Sequence, residues 1–358
     1  MKKLFLFALF AALCCSCTES GTDENTDPNG GSNSGQTTPP DPDSDAKDVI
    51  HVPKGGMLAG ILNELGLKSP SSLKLSGTLG VSDFTTLRNI QSLEHLDISR
   101  VNLSVLPTEA FLECTNIKSV ILPNTLTAIG TQAFWGSSLV SISIPASVEE
   151  IRGSAFFGCS SLKTVTFEKG SKLKTVAGFS HCTSLTTIEI PASVETIGQY
   201  AFNDCTSLHT VTFEKGSQLK TVDGFSRCTS LTTIEIPASV EKIGEFAFYI
   251  CTSLQTVTFE KGSKLKTISN GAFAFCWALT TVDMSACTQV TVIGEYAFSD
   301  DSKLQLFKIG TRTPPSCGND VFTGINSYSV LKVPAGCVDA YKNATGWKEF
   351  TTISELDE

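Results

Sequence analysis

"LTTIEIPASVETIGQYAFNDCTS" occupies residues 185–207, and "LHTVTFEKGSQLKTVDGFSRCTS" follows directly at 208–230. Both stretches are 23 residues long, and the first eleven residues of the former return unchanged from Leu231, 46 residues later. A catalytic loop is normally needed once, whereas a building block is needed many times. The period therefore indicates a stack of repeated structural units.

The period extends along most of the 358-residue chain, with steps of 23 residues in the central part and of 22 to 25 beside it. Two unit types alternate, one marked by "IPASV" and the other by "FEKGS". No such unit closes a hydrophobic core by itself, so stacked neighbours must bury it jointly. The opening residues of the units are Leu93, Ile117, Leu139, Leu162, Leu185, Leu208, Leu231, Leu254, Leu279 and Leu304.

Each unit begins with the L-x-x-L-x-L pattern of a leucine-rich repeat strand, as at Leu185, Ile188 and Ile190. Alternation along a strand points Ile188 and Ile190 to the core and Thr187 and Glu189 to solvent. Pro191 then ends strand pairing, because proline has no N–H to donate. The predicted fold is a mainly β, right-handed solenoid of about 10–12 coils, with a parallel sheet on its concave face and a cap at each end.

The units resemble the BspA-like leucine-rich repeat family of bacterial cell-surface proteins, whose motif is I-P-x-S-V-x-x-I-G-x-x-A-F-x-x-C-x-x-L. The resemblance is strong over about residues 110–310. It implies a solenoid and a role in adhesion, with host matrix proteins as plausible partners. Units of the "FEKGS" type depart from the motif, since they lack the proline and have a shorter "AF" turn. The matching residues are Ile190, Pro191, Ser193, Val194, Ile197, Gly198, Ala201, Phe202, Cys205 and Leu208.

The first 17 residues, "MKKLFLFALFAALCCSC", have the features of an export signal. Lys2 and Lys3 precede an apolar run at 4–13 that is too short to span a bilayer as a stable helix. The closing cysteines resemble the end of a bacterial lipoprotein signal, which implies lipidation of Cys17, with Cys15 as the alternative. An ordinary secretory signal with incidental cysteines is the competing interpretation.

Residues 18–48 contain no Leu, Ile, Val, Phe or aromatic residue and are strongly acidic. Such a segment buries too little apolar surface to offset its ordering entropy, so we expect a disordered acidic linker. Acidic residues soon after a lipidated cysteine resemble a tag for the outer face of the outer membrane. The expected location is therefore that of an exported outer membrane lipoprotein facing the extracellular side, in contact with membrane only through its anchor.

The repeats are flanked by segments of different pattern. Residues 49–110 read as an N-terminal cap and first repeats, with helical spacing over 57–67 and early strands after it. Residues 111–310 form the predicted solenoid. Residues 311–358 resemble the family's C-terminal cap and predict a last strand followed by a short helix bearing Tyr341 and Trp347. Terminal units of this kind shield the open ends of the core.

Thirteen cysteines are present, and most of those beyond the signal share one repeat position, three residues before the opening leucine. Gly136 and Asp301 are assigned to this position in the two other units. Buried free thiols are favoured over disulfides, because cysteine behaves as a small apolar residue in such a column. Cys317 and Cys337 fall outside the column, and a disulfide between them stays open. The cysteines at the shared position are Cys114, Cys159, Cys182, Cys205, Cys228, Cys251 and Cys276.

Signals for other functions are weak. The net charge of -9 argues against a nucleic-acid partner, whose phosphates require a basic surface. No P-loop, G-x-S-x-G, H-E-x-x-H or paired-cysteine zinc motif occurs outside the signal. Catalytic carboxylates need a shared cleft, which a regular solenoid does not readily provide. The sequence therefore predicts no enzyme, no metal site and no cofactor.

The outward positions of the strands supply the remaining candidate, a concave face of hydroxyls with periodic acids. Threonine is also a good strand residue, so strand propensity and solubility explain the column equally well. The predicted binding-face residues are Thr164, Thr166, Thr187, Glu189, Thr210, Thr212, Thr233, Glu235, Thr256, Thr258, Thr281 and Asp283.

Two functions are consistent with this face. The first is a lipid-anchored surface protein that binds a host or neighbouring-cell protein or glycan by many weak polar contacts. The second is a spacer or assembly scaffold of the cell envelope without a high-affinity ligand. Aromatic or charged anchors on the strand face would favour the first, and the pattern places few there.

Overall fold

The computed structural model describes residues 48–357. The predicted signal with Cys17, and the predicted linker up to residue 47, lie outside these described residues. The described chain winds through about 13 turns of about 23 residues. This exceeds the predicted 10–12 coils because strands from both predicted caps continue the stack.

The longer strands recur once per coil and pair in parallel, forming an eight-stranded sheet and then a six-stranded sheet. Strands are numbered in chain order. The eight-stranded sheet contains β1 (Val49–Val52), β2 (Ser72–Gly77), β3 (His95–Val101), β5 (Ser119–Ile121), β7 (Ser141–Ile144), β9 (Thr164–Phe167), β11 (Thr187–Ile190) and β13 (Thr210–Phe213). The six-stranded sheet contains β15 (Thr233–Ile236), β17 (Thr256–Phe259), β19 (Thr281–Met284), β21 (Leu306–Ile309), β23 (Val330–Val333) and β24 (Thr352–Glu355).

A second wall consists of a ten-stranded parallel sheet of two-residue strands. The family motif includes Val194 and Ile197 in this part of the coil, but the sequence did not predict a sheet here. Val176 pairs with Ile197, and both side chains are fully buried. The strands are β4 (Val105–Leu106), β6 (Ala128–Ile129), β8 (Glu150–Ile151), β10 (Thr175–Val176), β12 (Thr196–Ile197), β14 (Thr221–Val222), β16 (Lys242–Ile243), β18 (Thr267–Ile268), β20 (Val292–Ile293) and β22 (Ser316–Cys317).

Helices lie only near the two ends of the described chain: α1 (Leu58–Glu64), α2 (Val81–Asn89) and α3 (Val338–Asn343). The helix predicted within 57–67 is α1, whereas α2 was missed. At the other end, Tyr341 lies in α3 as predicted, but Trp347 begins a separate 3-10 turn (Trp347–Glu349). The chain then returns for one more strand, β24, which was also missed.

A column of phenylalanines fills the core beside the "AF" turns. Neighbouring rings are nearly parallel, with centroids 4.8–5.8 Å apart and planes within 14°. Each ring covers the face of the next, so each coil completes the core of its neighbour. The column contains Phe111, Phe134, Phe156, Phe179, Phe202, Phe225, Phe248, Phe273, Phe298 and Phe322.

The two unit types form structural pairs. The strand of each "IPASV" coil pairs over four residues with the following "FEKGS" strand, as from Thr187↔Thr210 to Ile190↔Phe213. The next junction is weaker: β9 and β11 share only Thr187↔Thr164, and β13 and β15 belong to different sheets. Across residues 139–259 the stack is therefore a series of 46-residue pairs.

The glutamate of "FEKGS" holds each pair together. The Glu214 carboxylate accepts a hydrogen bond from the Ala192 N–H at 2.8 Å, and the Gln218 N–H donates to the Ala192 carbonyl at 3.0 Å. Glu168 and Glu260 make the same contact with the preceding coil, at 3.1 and 2.9 Å. The carboxylate thus satisfies a backbone donor that the turn after the proline leaves unpaired.

Buried thiols form a hydrogen-bonded ladder. Six of the repeat cysteines donate to the phenylalanine carbonyl of the preceding coil, with S···O distances of 2.9–3.3 Å. Burial raises the pKa of Cys205 and Cys251 to about 12, so these thiols stay protonated and unreactive. The preference for free thiols at this position is confirmed, since all ten cysteines of the described chain are free. Cys317 and Cys337 are therefore unpaired thiols rather than a disulfide.

One assignment within the ladder was wrong. Ser137, not Gly136, occupies the cysteine position, where its hydroxyl lies 3.4 Å from the Cys159 sulfur. Gly136 takes the positive-φ position before it (φ 62°). The cysteines stand three residues before the next opening leucine, whereas Ser137 stands only two residues before Leu139. A fixed distance from Leu139 therefore gives Gly136 instead. Asp301 does occupy the ladder, as predicted, and is fully buried.

Candidate binding surface

The predicted binding-face residues lie together on the outer side of the longer strands, here called the strand face. Parallel register aligns them in two adjacent columns, with Thr187 beside Thr210 and Glu189 beside Thr212. The same arrangement continues with Glu235 beside Thr258. One column contains Thr164, Thr187, Thr210, Thr233, Thr256 and Thr281, and the other Thr166, Glu189, Thr212, Glu235, Thr258 and Asp283.

Exposure varies along the strand face. The columns are exposed from Thr164 to Glu235 and half-buried from Thr256 to Asp283. The break in the sheet between β13 and β15 falls inside the exposed part. Within the predicted columns, the part most accessible to a large ligand therefore spans β9 to β15, and the exposed Ser141 and Ser143 continue it onto β7.

The three acids of the predicted columns differ in their availability. Burial of Asp283 opposes its charge, but hydrogen bonds from Ser285 and Lys308 outweigh burial and lower its pKa. The Lys308 ammonium lies 2.9 Å from this carboxylate. By contrast, Glu189 and Glu235 make no ion pair within residues 48–357 and stand on coils two steps apart, about 10 Å at the usual strand spacing. Within the predicted columns, these two carboxylates are the charges without an ion pair.

A shallow cavity of about 200 Å³ lies on the strand face nearer the N-terminal end. Its lining includes Ser119, Ser141, Ser143, Glu168 and the exposed Ile121. Serines replace threonines on β5 and β7, and the smaller side chains leave this space. The sequence pattern did not predict this cavity.

The described residues contain neither a metal-binding cluster nor a membrane-spanning helix. Within 48–357, no group of three or more His, Cys, Asp or Glu side chains is arranged to hold a metal ion. Over the same range, no helix has the length and apolar character needed to cross a bilayer. The arrangement of the strand face is suited to multiple polar contacts along an extended ligand.

A family model described as the BspA type leucine-rich repeat region matches the chain in six copies, over residues 84–209, 175–305 and 222–345. These matches together cover more than half of the chain. No curated protein matches it.

Several solved structures are similar to this fold. A leucine-rich repeat protein from Bacteroides ovatus is 23% identical, with a TM-score of 0.48, over 80% of this chain and 82% of that one. The pneumococcal vaccine antigen PcpA is 19% identical, with a TM-score of 0.40, over 81% and 80%. A leucine rich cell surface protein from Faecalibacterium prausnitzii is 22% identical, with a TM-score of 0.36, over 60% and 73%.

Proposed function

Because the chain belongs to the BspA-type leucine-rich repeat family, we propose that it is a cell-surface adhesion protein that binds through its strand face. The expected partner is a protein or glycan of a host or neighbouring cell. The observation that carries this proposal is the pair of exposed, unpaired carboxylates, Glu189 and Glu235, set within columns of threonine hydroxyls. Such a face offers many hydrogen-bond donors and acceptors in a regular lattice.

The chemistry of the face suggests a modest affinity for each contact. A net hydrogen bond contributes about 0.5–1.5 kcal/mol, and bonds to charged groups contribute about 1.5–3 kcal/mol. The predicted columns contain no aromatic residue of the kind that concentrates interface energy. Firm attachment would therefore depend on many copies acting together on one surface.

Attachment to the cell is part of the same proposal. Lipidation of Cys17, or of Cys15 as the alternative, would anchor the chain in the outer membrane. The acidic segment 18–48 would then hold the solenoid away from the bilayer on the extracellular side.

Binding of the purified chain, residues 18–358, to an array of host matrix proteins, mucins and glycans tests the proposal. The variant Glu189→Lys with Glu235→Lys reverses both free charges of the strand face. A matched control, Glu149→Lys with Glu245→Lys, makes the same charge change at exposed positions away from the predicted columns.

The expected result is a specific signal that the strand-face variant loses and the control keeps. Loss in both variants would indicate an effect of net charge alone. A signal unaffected by either variant would move the binding site elsewhere. Absence of binding to every array member would favour a spacer or assembly scaffold of the envelope.

A further inference from the structure

The cavity on the strand face lies where two neighbouring strands stop pairing. β5 and β7 share a single residue pair, Ser119↔Ser141. One coil later, the Glu168 N–H donates to the Ile144 carbonyl at 3.0 Å and closes the end of the β7–β9 pair. The residue that corresponds to Glu168 after β7 is Pro145, which has no N–H to donate to the strand before it. Pairing between β5 and β7 therefore ends early, and the cavity occupies this place.

Proline alone does not explain the cavity, because Pro191 weakens the β9–β11 junction in the same way. At that junction the outward positions hold Thr164 and Thr187. On β5 and β7 they hold serines, which lack the methyl group of threonine. The missing proline bond and the smaller side chains together open the space, which we call the serine cavity. The lining residues that matter below are Ser119, Ile121, Ser141, Ser143, Pro145 and Glu168.

The serine cavity offers several hydrogen-bonding groups to a ligand. The Ser141 and Ser143 hydroxyls are exposed and form no hydrogen bond within residues 48–357. The Ser119 hydroxyl lies 2.8 Å from Nδ1 of His95 on β3, so it is positioned before a ligand arrives. The Glu168 carboxylate uses Oε2 for its bond to the preceding coil at 3.1 Å. A carboxylate accepts several hydrogen bonds, so Glu168 retains acceptor capacity for a ligand.

Apolar surface stands beside these polar groups. Ile121 is 57% exposed, although it belongs to a face that is otherwise rich in hydroxyls. Its side chain lines the same cavity as Ser143 and Glu168. Covering Ile121 with a ligand would remove apolar surface from water. A ligand that fills the serine cavity therefore needs both an apolar face and hydrogen-bonding groups.

The same lining disfavours other classes of ligand. A purely aliphatic group would bury the serine hydroxyls and the Glu168 carboxylate without partners. An anionic ligand would be repelled by Glu168. A cationic ligand would approach between Lys163 and Lys169, the exposed lysines at the two ends of β9. A neutral ligand that bears hydroxyls is left as the best match.

We propose that the serine cavity binds one pyranose residue of a neutral glycan. This inference rests on the proposed function of the strand face and names its ligand class. A pyranose ring has C–H groups on its face and hydroxyls around its rim. The face can cover Ile121 while the hydroxyls bond to the serines and Glu168. The volume of about 200 Å³ is below the range of about 300–1,000 Å³ that is usual for drug-sized ligands, so it suits a single sugar residue.

The threonine columns extend this site along the stack. One coil step of about 4.8 Å is close to the length of one pyranose residue. A linear glycan with one residue in the serine cavity can therefore follow the columns onto β9, where it meets Thr164 and Thr166. Because each further sugar adds hydrogen bonds, an oligosaccharide should bind more tightly than the single sugar.

Saturation-transfer NMR with residues 18–358 and free sugars tests the proposal. The probes are glucose, galactose, mannose, fucose, N-acetylglucosamine and N-acetylgalactosamine. At least one is expected to bind with a Kd of about 1–10 mM, as usual for so small a ligand. A linear trisaccharide of the bound sugar should bind about tenfold more tightly, which corresponds to one or two added hydrogen bonds.

The chain itself supplies a conservative way to fill the serine cavity. Ser119→Thr, Ser141→Thr and Ser143→Thr introduce the residue that β9 and β13 carry at the same positions. The triple variant keeps every hydroxyl and a good strand residue, so circular dichroism and melting curves should match the wild type. Its sugar Kd should rise at least about tenfold. The matched control, Thr210→Ser with Thr212→Ser, changes the same columns on β13 and should bind the single sugar as the wild type does.

Glu168→Gln gives a second variant that does not depend on filling the space. The amide oxygen can still accept the bond from the preceding coil, whereas the charge is lost. Sugar binding should weaken by about three- to tenfold, since hydrogen bonds to a charged group are the stronger ones.

The proposal is overturned if none of the six sugars binds, or if the triple variant and Glu168→Gln both bind sugar as tightly as the wild type. N-acetyl-lysine amide and N-acetyl-leucine amide are run beside the sugars. Binding of either amide in their place would assign the cavity to a protein side chain and would also overturn the proposal. Array binding that survives the triple variant, without binding of free sugar, would reject the sugar site and leave adhesion through the strand face standing.

Discussion

Asp301 occupies a cysteine position of the thiol ladder. Unlike a thiol, its carboxyl group has no proton to donate when it is ionised. Its Oδ1 accepts a hydrogen bond from the Cys276 N–H at 2.9 Å, whereas its buried Oδ2 has no partner within the described chain. Burial raises the pKa of this carboxyl well above its usual range, and Asp300 adds to the effect. The protonated carboxyl avoids placing in the core a negative charge that no neighbouring cation neutralises.

The consequence is a stability that falls as pH rises. The folded state has the raised pKa, so this contribution is complete below the unfolded value of about 3.9 and is lost as pH rises through the folded value. Asp301→Cys should raise stability at pH 8 by about 1–3 kcal/mol, the usual desolvation penalty of an unpaired buried group. The gain should shrink toward pH 4.

Urea unfolding of the variant and the wild-type chain at several pH values measures this difference directly. Subtracting the two curves removes the titration of all other groups that they share. A gain that stays constant from pH 4 to pH 8 would show that Asp301 does not titrate in this range.

Within each pair of coils, the "FEKGS" glutamate accepts a hydrogen bond from the backbone of the preceding coil, and mutation can measure what this bond contributes to stability. Glu214→Ala removes the acceptor of the Ala192 N–H and should lower the free energy of unfolding by about 0.5–1.5 kcal/mol. The neighbouring Lys215→Ala, at an exposed position, should change it by less than about 0.5 kcal/mol. Urea denaturation of both variants provides the comparison. Equal effects would mean that the bridge contributes nothing.

Elements of the repeat were predictable because hydrophobic alternation and a 23-residue period are strong signals. The second sheet was not, since two residues such as Thr196 and Ile197 are too few to show alternation. Positions in irregular turns were harder still. A unit one residue short moved Ser137 out of alignment, and only the backbone showed that it replaces cysteine.

The strand face shows what the sequence could and could not predict about a binding surface. Alternation predicted which residues point outward, and register then aligned them as expected. The cavity beside Ile121 was not predicted, because nothing in the repeat period distinguishes the serines of β5 and β7 from the threonines of later coils.

For the whole molecule, pairing of unlike coils predicts which changes in length the fold tolerates. Deleting residues 208–253 removes one complete pair and rejoins an "IPASV" coil to an "FEKGS" coil. Deleting 208–230 instead places two "IPASV" coils together and removes the Glu214 bridge. The first variant should unfold at nearly the wild-type midpoint, and the second should lose about 1–3 kcal/mol.

Thermal and urea unfolding of the two deletion variants would measure this difference. Retention of the circular dichroism spectrum per residue would confirm that both remain solenoids. If the 23-residue deletion proves as stable as the 46-residue deletion, the pair is a feature of sequence duplication and not a unit of stability.

The last strand also follows the pairing rule of the interior. Glu355 accepts a hydrogen bond from the Gly336 N–H at 2.7 Å. β24 therefore pairs with β23 in the same way that an "FEKGS" strand pairs with the "IPASV" strand before it. The other edge of β24 therefore corresponds to the edge of β9 that faces β11, where the two strands share a single residue pair. The alternation of strong and weak junctions thus extends from the interior coils to the last strand that the structure describes, and it makes the lateral pairing of a strand depend on its place within a pair of coils.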